Sequence, residues 1–584
     1  MEIQRDASDL YRLPCGLRDD IKQVGQLAER YQKGKVSREE FHHVRAAMGI
    51  YEQRQDGLYM MRIRLPGGVF LPDQMRLVAD VARRRGDGAL HFTTRQDVQI
   101  HNIPLVHLHT ALVELARGGM STKGGGGNTV RNVTACPSAG TCPYETFDVT
   151  SHVLAVTDQL LAAPSSFKLP RKFKVAFSCC PNDCSGATVS DVGFIAKVKD
   201  GERGFSVYAA GGLGSSSRVG HRIEEFIPES RVHIVTEAVK RVFDRYGNRE
   251  NRRKARLRYV VIEHGIERFL EFYRESLAEV TAEYEEQGAT ELHLLDPDFT
   301  LPAVLPTVDD NDRQSEVKPL PSNFDRWKRH NVRGQKQQGF YTVAIPLPLG
   351  DIEPDALTAL AATVSRYGEG ILRATLSQDV SLRGVTVEQL TEIYKELVEF
   401  HLANIYQPVR SSAIACTGAS TCRLGICQSQ ALLTAINIAL AASDLDLWEA
   451  NNVKLYINGC PNSCGRHPIA SIGLMGCARR ASGYLVPHYT VQLGGRLGEG
   501  RTRLAEGKQK IPARNVPSFI VEYLHAFRQS DQYPDFDAFL EASGRDTAHA
   551  IIEKYQTIPD YSDDPDFYCD WGTTEPVPVG SNAG

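Results

Sequence analysis

The chain carries the same cysteine pattern twice. Four cysteines of the first half each lie 280 residues before a cysteine of the second half, so that Cys136, Cys142, Cys180 and Cys184 correspond to Cys416, Cys422, Cys460 and Cys464. Gly193 and Gly473 keep the same spacing, and segments 57–68 and 90–103 match segments 339–350 and 372–385 at a spacing of 282. A register kept over so many positions indicates an internal duplication, so the fold must contain two copies of one unit.

Each copy begins with a short pattern of alternating strands and helices. In the first copy, Gly57–Gly68 alternates and ends in a Pro-Gly-Gly turn, and Leu90–Ile103 predicts a second strand. The spacing of apolar residues predicts helices over Asp73–Arg84 and Val106–Ala116. This order of elements predicts a small α+β half-domain in each copy.

The repeat and the composition along the chain predict seven segments. A polar and proline-rich stretch separates the two copies and is interpreted as a linker. The predicted segments are an N-terminal arm (1–50), half-domain 1 (51–122), cysteine-bearing domain 1 (123–284), the linker (285–335), half-domain 2 (336–405), cysteine-bearing domain 2 (406–528) and a C-terminal tail (529–584).

Composition excludes several classes of protein. The formal net charge of −4 gives no electrostatic reason to expect nucleic acid as a partner. No apolar run is long enough to span a membrane, and the charged start carries no secretory signal, so we expect a cytoplasmic protein. Thirteen cysteines in such a chain indicate metal binding rather than a disulfide framework.

The cysteine spacing restricts the choice of metal. Cys416 and Cys422 have five residues between them, and Cys460 and Cys464 have three. Thiolate ligands favour soft metals, which leaves zinc and an iron–sulfur cluster. Structural zinc sites usually use cysteines two to four residues apart. The wider first gap favours a [4Fe–4S] cluster, with a zinc-stabilised binding protein as the alternative.

Several motifs give the chain a family resemblance. They are the Pro-Gly-Gly turn after a strand with two arginines, TTRQDVQ, RNV before the first cysteine, LPRKFK, and GCPNSCGR. From about residue 50 to 525 the chain resembles the siroheme-containing sulfite and nitrite reductases. The resemblance implies an α+β fold with internal duplication: two ferredoxin-like half-domains pair into one domain, and two siroheme/Fe–S α/β domains accompany it.

The resemblance also implies the residues that bind the cofactors. Cys464 would join a [4Fe–4S] cluster to siroheme, and Cys416, Cys422 and Cys460 would complete the cluster. Siroheme carries eight carboxylates, which arginine binds well because its guanidinium forms two parallel hydrogen bonds. The implied siroheme contacts are Arg95, Gln99, Arg171 and Asn462. His91 departs from the family pattern. The basic run 240–258 could meet either siroheme or an acidic electron donor, with a solvated helix face as the alternative.

Four cations map onto the positions at which the family binds its oxyanion. They are Arg62, Arg131, Lys172 and Lys174, and the two lysines alternate as along a strand, which would place both on one face. The resemblance implies six-electron reduction of sulfite or of nitrite. A dianion gains more from an additional cation than a monoanion does, and Lys174 therefore favours sulfite, with nitrite as the alternative.

No dinucleotide-binding fingerprint follows a strand, so the electrons should come from a ferredoxin or a separate flavoprotein. A non-catalytic siroheme or iron–sulfur electron-transfer protein is the alternative from another class. The first-half cysteines predict a second [4Fe–4S] cluster and leave open a second siroheme. The positions equivalent to its anion site hold Ala344, Ser411, Asn452 and Lys454, with Arg410 adjacent, so this second site is predicted to bind metal without being catalytic.

Overall fold

The structure is a computed structural model that describes residues 11–292, 294, 323–450, 453–530 and 533–579. The chain forms two compact units. Unit 1 contains Gly57–Gly212, Gly220–Ile405 and the chain up to Tyr51. Unit 2 contains Glu52–Asp56, Leu213–Val219 and the chain from Tyr406.

The helices lie in both copies of the repeat. In order they are α1 Leu17–Gln32, α2 Arg38–Ala47, α3 Pro72–Arg85, α4 Leu108–Arg117, α5 Thr150–Ala162, α6 Val232–Tyr246, α7 Leu257–His264, α8 Ile266–Glu286, α9 Phe324–Asn331, α10 Pro354–Arg366, α11 Leu390–Glu399, α12 Pro408–Ser411, α13 Ser429–Ala442, α14 Val516–Arg528, α15 Phe536–Phe539 and α16 Arg545–Lys554.

The strands form four sheets. In order they are β1 Ile50–Glu52, β2 Leu58–Ile63, β3 Val69–Phe70, β4 Leu90–Phe92, β5 Val98–Pro104, β6 Thr134–Ala135, β7 Val175–Ser178, β8 Val192–Lys199, β9 Glu202–Ala209, β10 His221–Pro228, β11 Val332–Gly334, β12 Phe340–Ile345, β13 Asp351–Ile352, β14 Leu372–Ala374, β15 Val380–Thr386, β16 Ile414–Ala415, β17 Leu455–Asn458, β18 Ile472–Ala481, β19 Tyr484–Leu493, β20 Lys510–Pro512 and β21 Val577–Pro578.

The two half-domains exchange a strand. The first sheet has the order β1-β2-β5-β4-β13 and the second has the order β11-β12-β15-β14-β3, so each sheet ends in a short strand from the other copy. The exchanged strands follow the Pro-Gly-Gly turn of the first copy and the equivalent Pro-Leu-Gly turn of the second. Helices α3 and α10 pack against each other, and one hydrophobic core includes residues from both copies. The predicted pairing of two half-domains is confirmed.

The segment predicted as one strand over Leu90–Ile103 is two strands joined by a tight turn. Thr93 Oγ1 accepts hydrogen bonds from the N–H groups of Arg95 and Asp97 (both 3.2 Å), and Gln96 adopts a φ of 56°. A threonine hydroxyl that satisfies two backbone N–H groups makes the turn more favourable than continued strand pairing. The turn places Arg95 outside the strands, and the second copy repeats it at Thr375.

Each cysteine-bearing domain is built on a mixed sheet. Strands β6, β7 and β8 are parallel, and β9 and β10 continue the sheet in antiparallel order. Strands β16 to β20 repeat this arrangement in unit 2. The second pair of cysteines follows the second parallel strand in each copy, with one residue between the strand and the first cysteine of the pair after both β7 and β17. The duplicated α+β fold is confirmed.

Lys172 and Lys174 lie just before β7 rather than within it. Phe173, between them, forms an isolated parallel bridge with Val130. The predicted alternation along a strand is therefore replaced by a single bridged position with a lysine on either side.

The predicted linker and tail contain regular structure. Of the linker 285–335, residues 293 and 295–322 lie outside the described residues, and α9 and β11 form its end. The tail 529–584 includes α15 and α16, and its residues 531–532 and 580–584 lie outside the described range. No helix in the described part of the chain is long and apolar enough to cross a membrane.

The repeated glycines Gly193 and Gly473 have a steric reason. A Cβ on Gly193 would lie 2.1 Å from the carbonyl oxygen of Ala187, and one on Gly473 would lie 2.4 Å from that of His467. In both copies the turn that follows the second cysteine pair crosses the start of the next strand at this glycine. Close backbone packing therefore requires a glycine at the same place in both copies, in addition to the cysteines.

We expect Gly193→Ala to destabilise the protein by roughly 1–3 kcal/mol because the backbone of the preceding turn must move. Thermal denaturation followed by circular dichroism measures the change. Gly334→Ala is the matched control, since a Cβ at Gly334 would meet no atom within 4 Å. Equal melting temperatures for the two variants would show that the crossing at Gly193 tolerates a methyl group.

Candidate active site

A glycine loop in unit 1 binds two of the predicted anion-site arginines. The loop, Gly124–Gly127, presents its carbonyl oxygens to their side chains. Arg62 Nη1 and Arg131 Nη1 both donate to Gly125 O, at 3.0 and 2.5 Å, and Arg131 Nη2 donates to Gly127 O at 2.8 Å. Two guanidinium groups that share one carbonyl oxygen are held close together, so the loop concentrates positive charge.

A further arginine, Arg64, packs against this loop and the segment that follows it. Arg64 is fully buried and donates to Val130 O and Arg131 O, both at 3.0 Å. A Cβ on Gly124 would lie 2.3 Å from Arg64 Nη1, so glycine is required where the loop passes over this side chain. Burial lowers the pKa of Arg64 to about 10, and Asp97 opposes that shift.

Asp97 is the carboxylate among these cations. Its Oδ2 lies 3.9 Å from Arg62 Nε, and the side chain is 4% exposed. Burial raises the pKa of Asp97, while the charges of Arg62, Arg95, Arg64 and Arg131 act to lower it. One carboxylate therefore faces four guanidinium groups, and the net charge of these five side chains is positive.

Gln99 lies beside Arg62 on the neighbouring strand β5. With its amide oxygen facing Arg62, Gln99 accepts hydrogen bonds from Nη2 and Nε at 2.8 and 3.0 Å and donates to His101 Nε2 at 3.0 Å. The contacts of Gln99 therefore orient Arg62. Its predicted role as a siroheme ligand stays a prediction.

The predicted siroheme residues Arg95 and Arg171 lie in the same unit. Arg95 Nη2 donates to Asn132 O at 2.5 Å, next to Arg131. Arg171 Nη1 donates to Asn128 Oδ1 at 3.4 Å, at the end of the glycine loop. Burial, and after it the nearby charges of Arg252 and Arg131, lowers the pKa of Arg171 to about 10.

Lys174 is close to several of these cations. Burial, followed by the charges of Arg95, Lys172 and Arg256, lowers the pKa of the Lys174 ammonium well below its usual value. Its backbone N–H donates to Asp191 Oδ2 at 2.8 Å, and Arg256 binds the same carboxylate through Nη2 at 2.8 Å. Asp191 thus connects the lysine segment to the basic run 240–258.

The structure therefore brings together six predicted residues in unit 1. Hydrogen bonds to residues of the segment 125–132 and mutual charge effects link Arg62, Arg131, Arg95, Arg171, Lys172 and Lys174. This arrangement, together with Arg64 and Asp97, is called the cation cluster below. Such fixed charges bind an anion without reorganisation, which is what stabilises negative charge during a reaction.

Arg258 provides a test of whether the residues fit a group with many carboxylates. It is 4% exposed, and among the described residues its Nε and Nη1 find no hydrogen-bond partner. Burial lowers its pKa to about 10. A Cβ on Gly212 would lie 2.8 Å from Arg258 Nη1, so this glycine leaves room around the guanidinium. Buried donors of this kind need an acceptor, and a ring bearing carboxylates fits them.

His91 uses both of its ring nitrogens in contacts with residues of the second copy. Its Nδ1 lies 2.7 Å from Asp351 Oδ1 on the exchanged strand β13, and its Nε2 lies 3.0 Å from Gln378 Nε2. The departure of this position from the family pattern therefore serves the contact between the two copies.

The first-half cysteines lie close together in unit 1. The Cys136 thiol forms hydrogen bonds with the thiols of Cys179 and Cys184, and these lower its pKa well below the usual value. Cys180 forms a hydrogen bond with Cys179, which lowers the pKa of Cys180 to about 7. Burial raises the pKa of Cys142, and the charges of Cys136 and Cys180 add to that effect. All four predicted ligands and Cys179 are thus near one another.

The second copy of the repeat clamps the loop between Cys136 and Cys142. Lys336 N donates to Thr141 O at 2.9 Å, and Gln337 Nε2 donates to Gly140 O at 2.8 Å. Arg383 Nη1 donates to Ala139 O at 2.6 Å. Glu369 binds Arg383 through both carboxylate oxygens, at 2.8 and 2.9 Å, and so fixes the clamp.

The second-half cysteines lie in unit 2. Burial raises the pKa of Cys416 to about 12, and the charge of Cys464 contributes. Burial also raises the pKa of Cys422 and of Cys460, again with a contribution from Cys464. The four thiols therefore repel one another once ionised, and a bound metal would supply the positive charge that keeps them as thiolates.

Hydrogen bonds to sulfur orient this set. Gly459 N–H donates to Cys416 Sγ at 3.3 Å, and Asn462 Nδ2 donates to Cys460 Sγ at 3.5 Å. Asn462, predicted to contact siroheme, is thus placed beside the cysteine set. Hydrogen bonds to ligand sulfurs are one of the means by which proteins tune a cluster.

The loop between Cys416 and Cys422 has its own clamp within unit 2. Arg54 N donates to Thr421 O at 2.7 Å, and Gln55 Nε2 donates to Ser420 O at 2.9 Å. These residues lie 282 positions before Lys336 and Gln337. Both cysteine loops are therefore held by equivalent side chains and backbone groups.

Within the described ranges, no group of three or more His, Cys, Asp and Glu side chains forms a ready-made site for a metal ion. The thiols of each set are nevertheless within electrostatic reach of one another, as their pKa shifts require. Sulfur-only ligands in two clamped loops fit an iron–sulfur cluster, which holds its cysteines farther apart than a single ion does.

In the described part of the second copy, the positions equivalent to Arg62 and Arg131 carry no cation. Ala344 lies in β12, Ser411 ends α12, and Asn452 lies outside the described residues. Lys454 remains, and Arg410 packs over Tyr406, with its Cζ 5.3 Å from the ring centroid. The predicted asymmetry between the two sites stays a prediction, and these contacts agree with it.

Sequence reasoning missed the glycine loop, Asp97 and Arg64. The run of four glycines at 124–127 was the available signal, because such a run brings backbone carbonyls close to side chains. Asp97 lies inside the TTRQDVQ motif, but its role depends on which arginines surround it in space.

A duplicated α+β fold with clamped cysteine loops and a cation cluster defines an iron–sulfur oxidoreductase acting on an anion. Models of two domains match the chain. The nitrite and sulphite reductase 4Fe–4S domain matches residues 126–280 and 408–544, and the nitrite/sulfite reductase ferredoxin-like half domain matches residues 51–117 and 333–400. The chain belongs to the nitrite and sulphite reductase family, whose cofactors are siroheme and a [4Fe–4S] cluster.

Individual proteins are similar over most of the chain. A ferredoxin–nitrite reductase of Synechococcus elongatus is 31% identical over 453 residues, which is 76% of this chain and 81% of that protein. An assimilatory ferredoxin-dependent nitrite reductase of Haloferax mediterranei is 27% identical, covering 87% of this chain and 86% of its own. The solved structure of the Mycobacterium tuberculosis NirA protein has the same fold, with a TM-score of 0.72 and 23% identity over 91% of this chain and 97% of its own.

We expect Glu369→Gln to destabilise the protein by roughly 3–5 kcal/mol, because it leaves Arg373 and Arg383 buried without their carboxylate. Although burial alone would raise it, these two arginines hold the pKa of Glu369 below its usual value. The carboxylate therefore stabilises the fold above its unfolded pKa, and that contribution is lost as the pH falls through the folded pKa.

Thermal denaturation at neutral and acidic pH measures the effect. Asp355→Asn is the matched control, since it breaks an exposed pair with Arg83 and should cost less than about 1 kcal/mol. Equal losses in both variants would contradict the structural role of the buried pair.

Proposed function

We propose that the protein reduces nitrite to ammonia by a six-electron reaction, with a ferredoxin as electron donor. The observation that carries the proposal is the cation cluster, in which Arg62 and Arg131 share Gly125 O and Lys174 lies among further cations. Similar proteins named as ferredoxin-dependent nitrite reductases support the choice of anion and of donor. A separate flavoprotein donor is the alternative.

The proposed roles follow from charge and contact. Arg62, Arg131, Lys172 and Lys174 bind the anion and offset the charge that develops during reduction. Lys174, whose pKa is depressed by burial and by its cationic neighbours, gives up a proton more readily than an ordinary lysine and so can protonate the substrate. Asp191 and Arg256 keep the backbone at Lys174 in place.

The proposed cofactor ligands are those that the family resemblance implies. We assign the catalytic cluster to Cys416, Cys422, Cys460 and Cys464, with Cys464 also the siroheme ligand, and siroheme contacts to Arg95, Gln99, Arg171 and Asn462. Arg258 joins these contacts because its buried donors need a carboxylate. When bound, siroheme and the cluster supply electrons to the anion.

Sulfite is the second candidate substrate, and Lys174 favours it. A dianion gains more from this cation than the nitrite monoanion does. The names of the similar proteins favour nitrite instead. The two candidate substrates therefore differ in how strongly their binding depends on the charge of Lys174.

The first-half cysteines are proposed to hold a second [4Fe–4S] cluster. Cys136, Cys142, Cys180 and Cys184 are the proposed ligands. Their loop is clamped by Lys336 and Gln337 as the other loop is by Arg54 and Gln55. Because the same clamp is present in both copies, it supports the proposal that both cysteine sets bind a cluster.

We expect wild-type kcat/KM to be higher for nitrite than for sulfite, and Lys174→Asn to reduce sulfite turnover more than nitrite turnover. The dianion depends more on this charge, so its loss should be roughly tenfold greater. Steady-state kinetics with both anions and reduced viologen provide the measurement. Lys199→Asn, the same change on an exposed lysine, is the control.

A wild-type kcat/KM that is higher for sulfite than for nitrite would make sulfite the proposed substrate. Equal losses for the two anions in Lys174→Asn would remove Lys174 as the residue that discriminates between them.

We expect Cys464→Ser to abolish anion reduction, because the thiolate that joins the cluster to siroheme is lost. Cys184→Ser should lower iron and acid-labile sulfide by about four atoms each per chain, the content of one cluster, and leave siroheme bound. Activity per bound siroheme with reduced viologen compares the two variants without depending on the natural donor.

A Cys184 variant that keeps its full iron content would contradict the second cluster. A folded Cys184 variant without activity, beside an active Cys464 variant, would reverse the assignment of the two sites.

A further inference from the structure

Tyr51 lies in β1 against the glycine loop of the cation cluster. The Gly127 N–H donates to its phenol oxygen at 3.0 Å. A Cβ on Gly126 would lie 2.7 Å from both Cε2 and Oη of Tyr51, so the ring occupies space that a side chain at position 126 would otherwise fill. The phenol is thus built into the loop that positions Arg62 and Arg131.

Cations face Tyr51 from several elements. Arg131 lies close enough to the phenol to lower its pKa, and the Cζ of Arg62, on β2, lies 5.8 Å from the ring centroid. Arg171 lies near enough for the charge of Tyr51 to affect it. From α2, uncharged Ala46 and Ala47 pack against the loop. The charges acting on the phenol oxygen are therefore positive.

This surrounding favours the ionised phenol. Burial alone would raise the pKa of Tyr51, but the charges of Arg131 and Arg62 and the hydrogen bonds from Arg131 and Gly127 lower it to about 7. The second copy has Arg333 at the equivalent position, 282 residues later, so this phenol belongs to the first-copy site alone.

We propose that Tyr51 is a positioning residue of the oxyanion site, which holds the Arg131 guanidinium and, by releasing a proton to solvent, reduces the positive charge offered to the anion. Neutral Tyr51 leaves the charge of Arg131 available to the substrate. Ionised Tyr51 neutralises part of it and competes with the anion. The inference rests on the proposed function for the identity of the anion, but not for the contacts of Tyr51.

Tyr51→Phe tests the proposal because it keeps the ring beside Arg62 and removes the phenol oxygen. Nitrite stays a monoanion over the range used, and its binding to the oxidised holoenzyme is followed by the change in the visible spectrum. In the wild type, nitrite Kd should rise about tenfold between about pH 6 and pH 8 as Tyr51 ionises. In Tyr51→Phe this rise should disappear, and the same difference should be seen in KM rather than in kcat.

Tyr31→Phe is the matched control, since Tyr31 stacks on Phe41 at a centroid distance of 5.1 Å and should leave the pH dependence unchanged. Should Tyr51→Phe not fold, replacing the tyrosines with 3-fluorotyrosine lowers the phenol pKa at nearly constant volume. The midpoint of the pH dependence should then move to lower pH, and an unmoved midpoint would contradict the proposal.

An identical rise of Kd in the wild type and in Tyr51→Phe would overturn the role of Tyr51 and leave nitrite reduction standing. Binding of sulfite without binding of nitrite would overturn the proposed substrate instead. The two proteins would then be compared with sulfite, and a pH dependence that differs between them would still support Tyr51.

Discussion

The exchange of one short strand between the two copies is the constraint on which unit 1 depends. Each half-domain sheet ends in a strand from the other copy, so neither sheet is complete alone. Open sheet edges expose unpaired backbone groups, and the exchange covers one edge of each of the two sheets. The same exchange sets His91 against Asp351 and brings Arg383 to the first cysteine loop. Contacts between the two copies therefore also hold the first cysteine loop.

Duplication then allowed the two copies to diverge in charge. The clamps on the cysteine loops are repeated, with Arg54 and Gln55 matching Lys336 and Gln337. The glycine loop is not repeated, because the equivalent positions 404–407 hold Asn-Ile-Tyr-Gln. Side chains at these positions fill the space that glycine leaves open for close backbone approach in the first copy. The clamped cysteine loops are thus common to both copies, whereas the glycine loop is present in the first copy and not at the equivalent positions of the second.

The sequence predicted the features that depend on periodicity and spacing. The duplication, the half-domains and the cysteine sets follow from a register that survives over the whole chain. The turn at Thr93 was missed because apolar alternation on both sides of it looks continuous, and only the hydroxyl contacts reveal the break. The positions of Lys172 and Lys174 were misplaced on a strand for a similar reason. Asp97 and Arg64 act through neighbours distant in sequence, which no local pattern encodes.

The charge balance of the cation cluster explains why a tyrosine in it matters. Asp97 is one buried carboxylate among four arginines, and burial raises its pKa, so its negative charge is itself costly to maintain. A second permanent carboxylate beside Arg131 would cancel the charge that an anion needs. A phenol provides a counter-charge that is absent when protonated and present when ionised, and the carbonyls of the glycine loop keep Arg131 in place in both states. The site can therefore remain strongly cationic for its substrate without leaving every guanidinium permanently uncompensated.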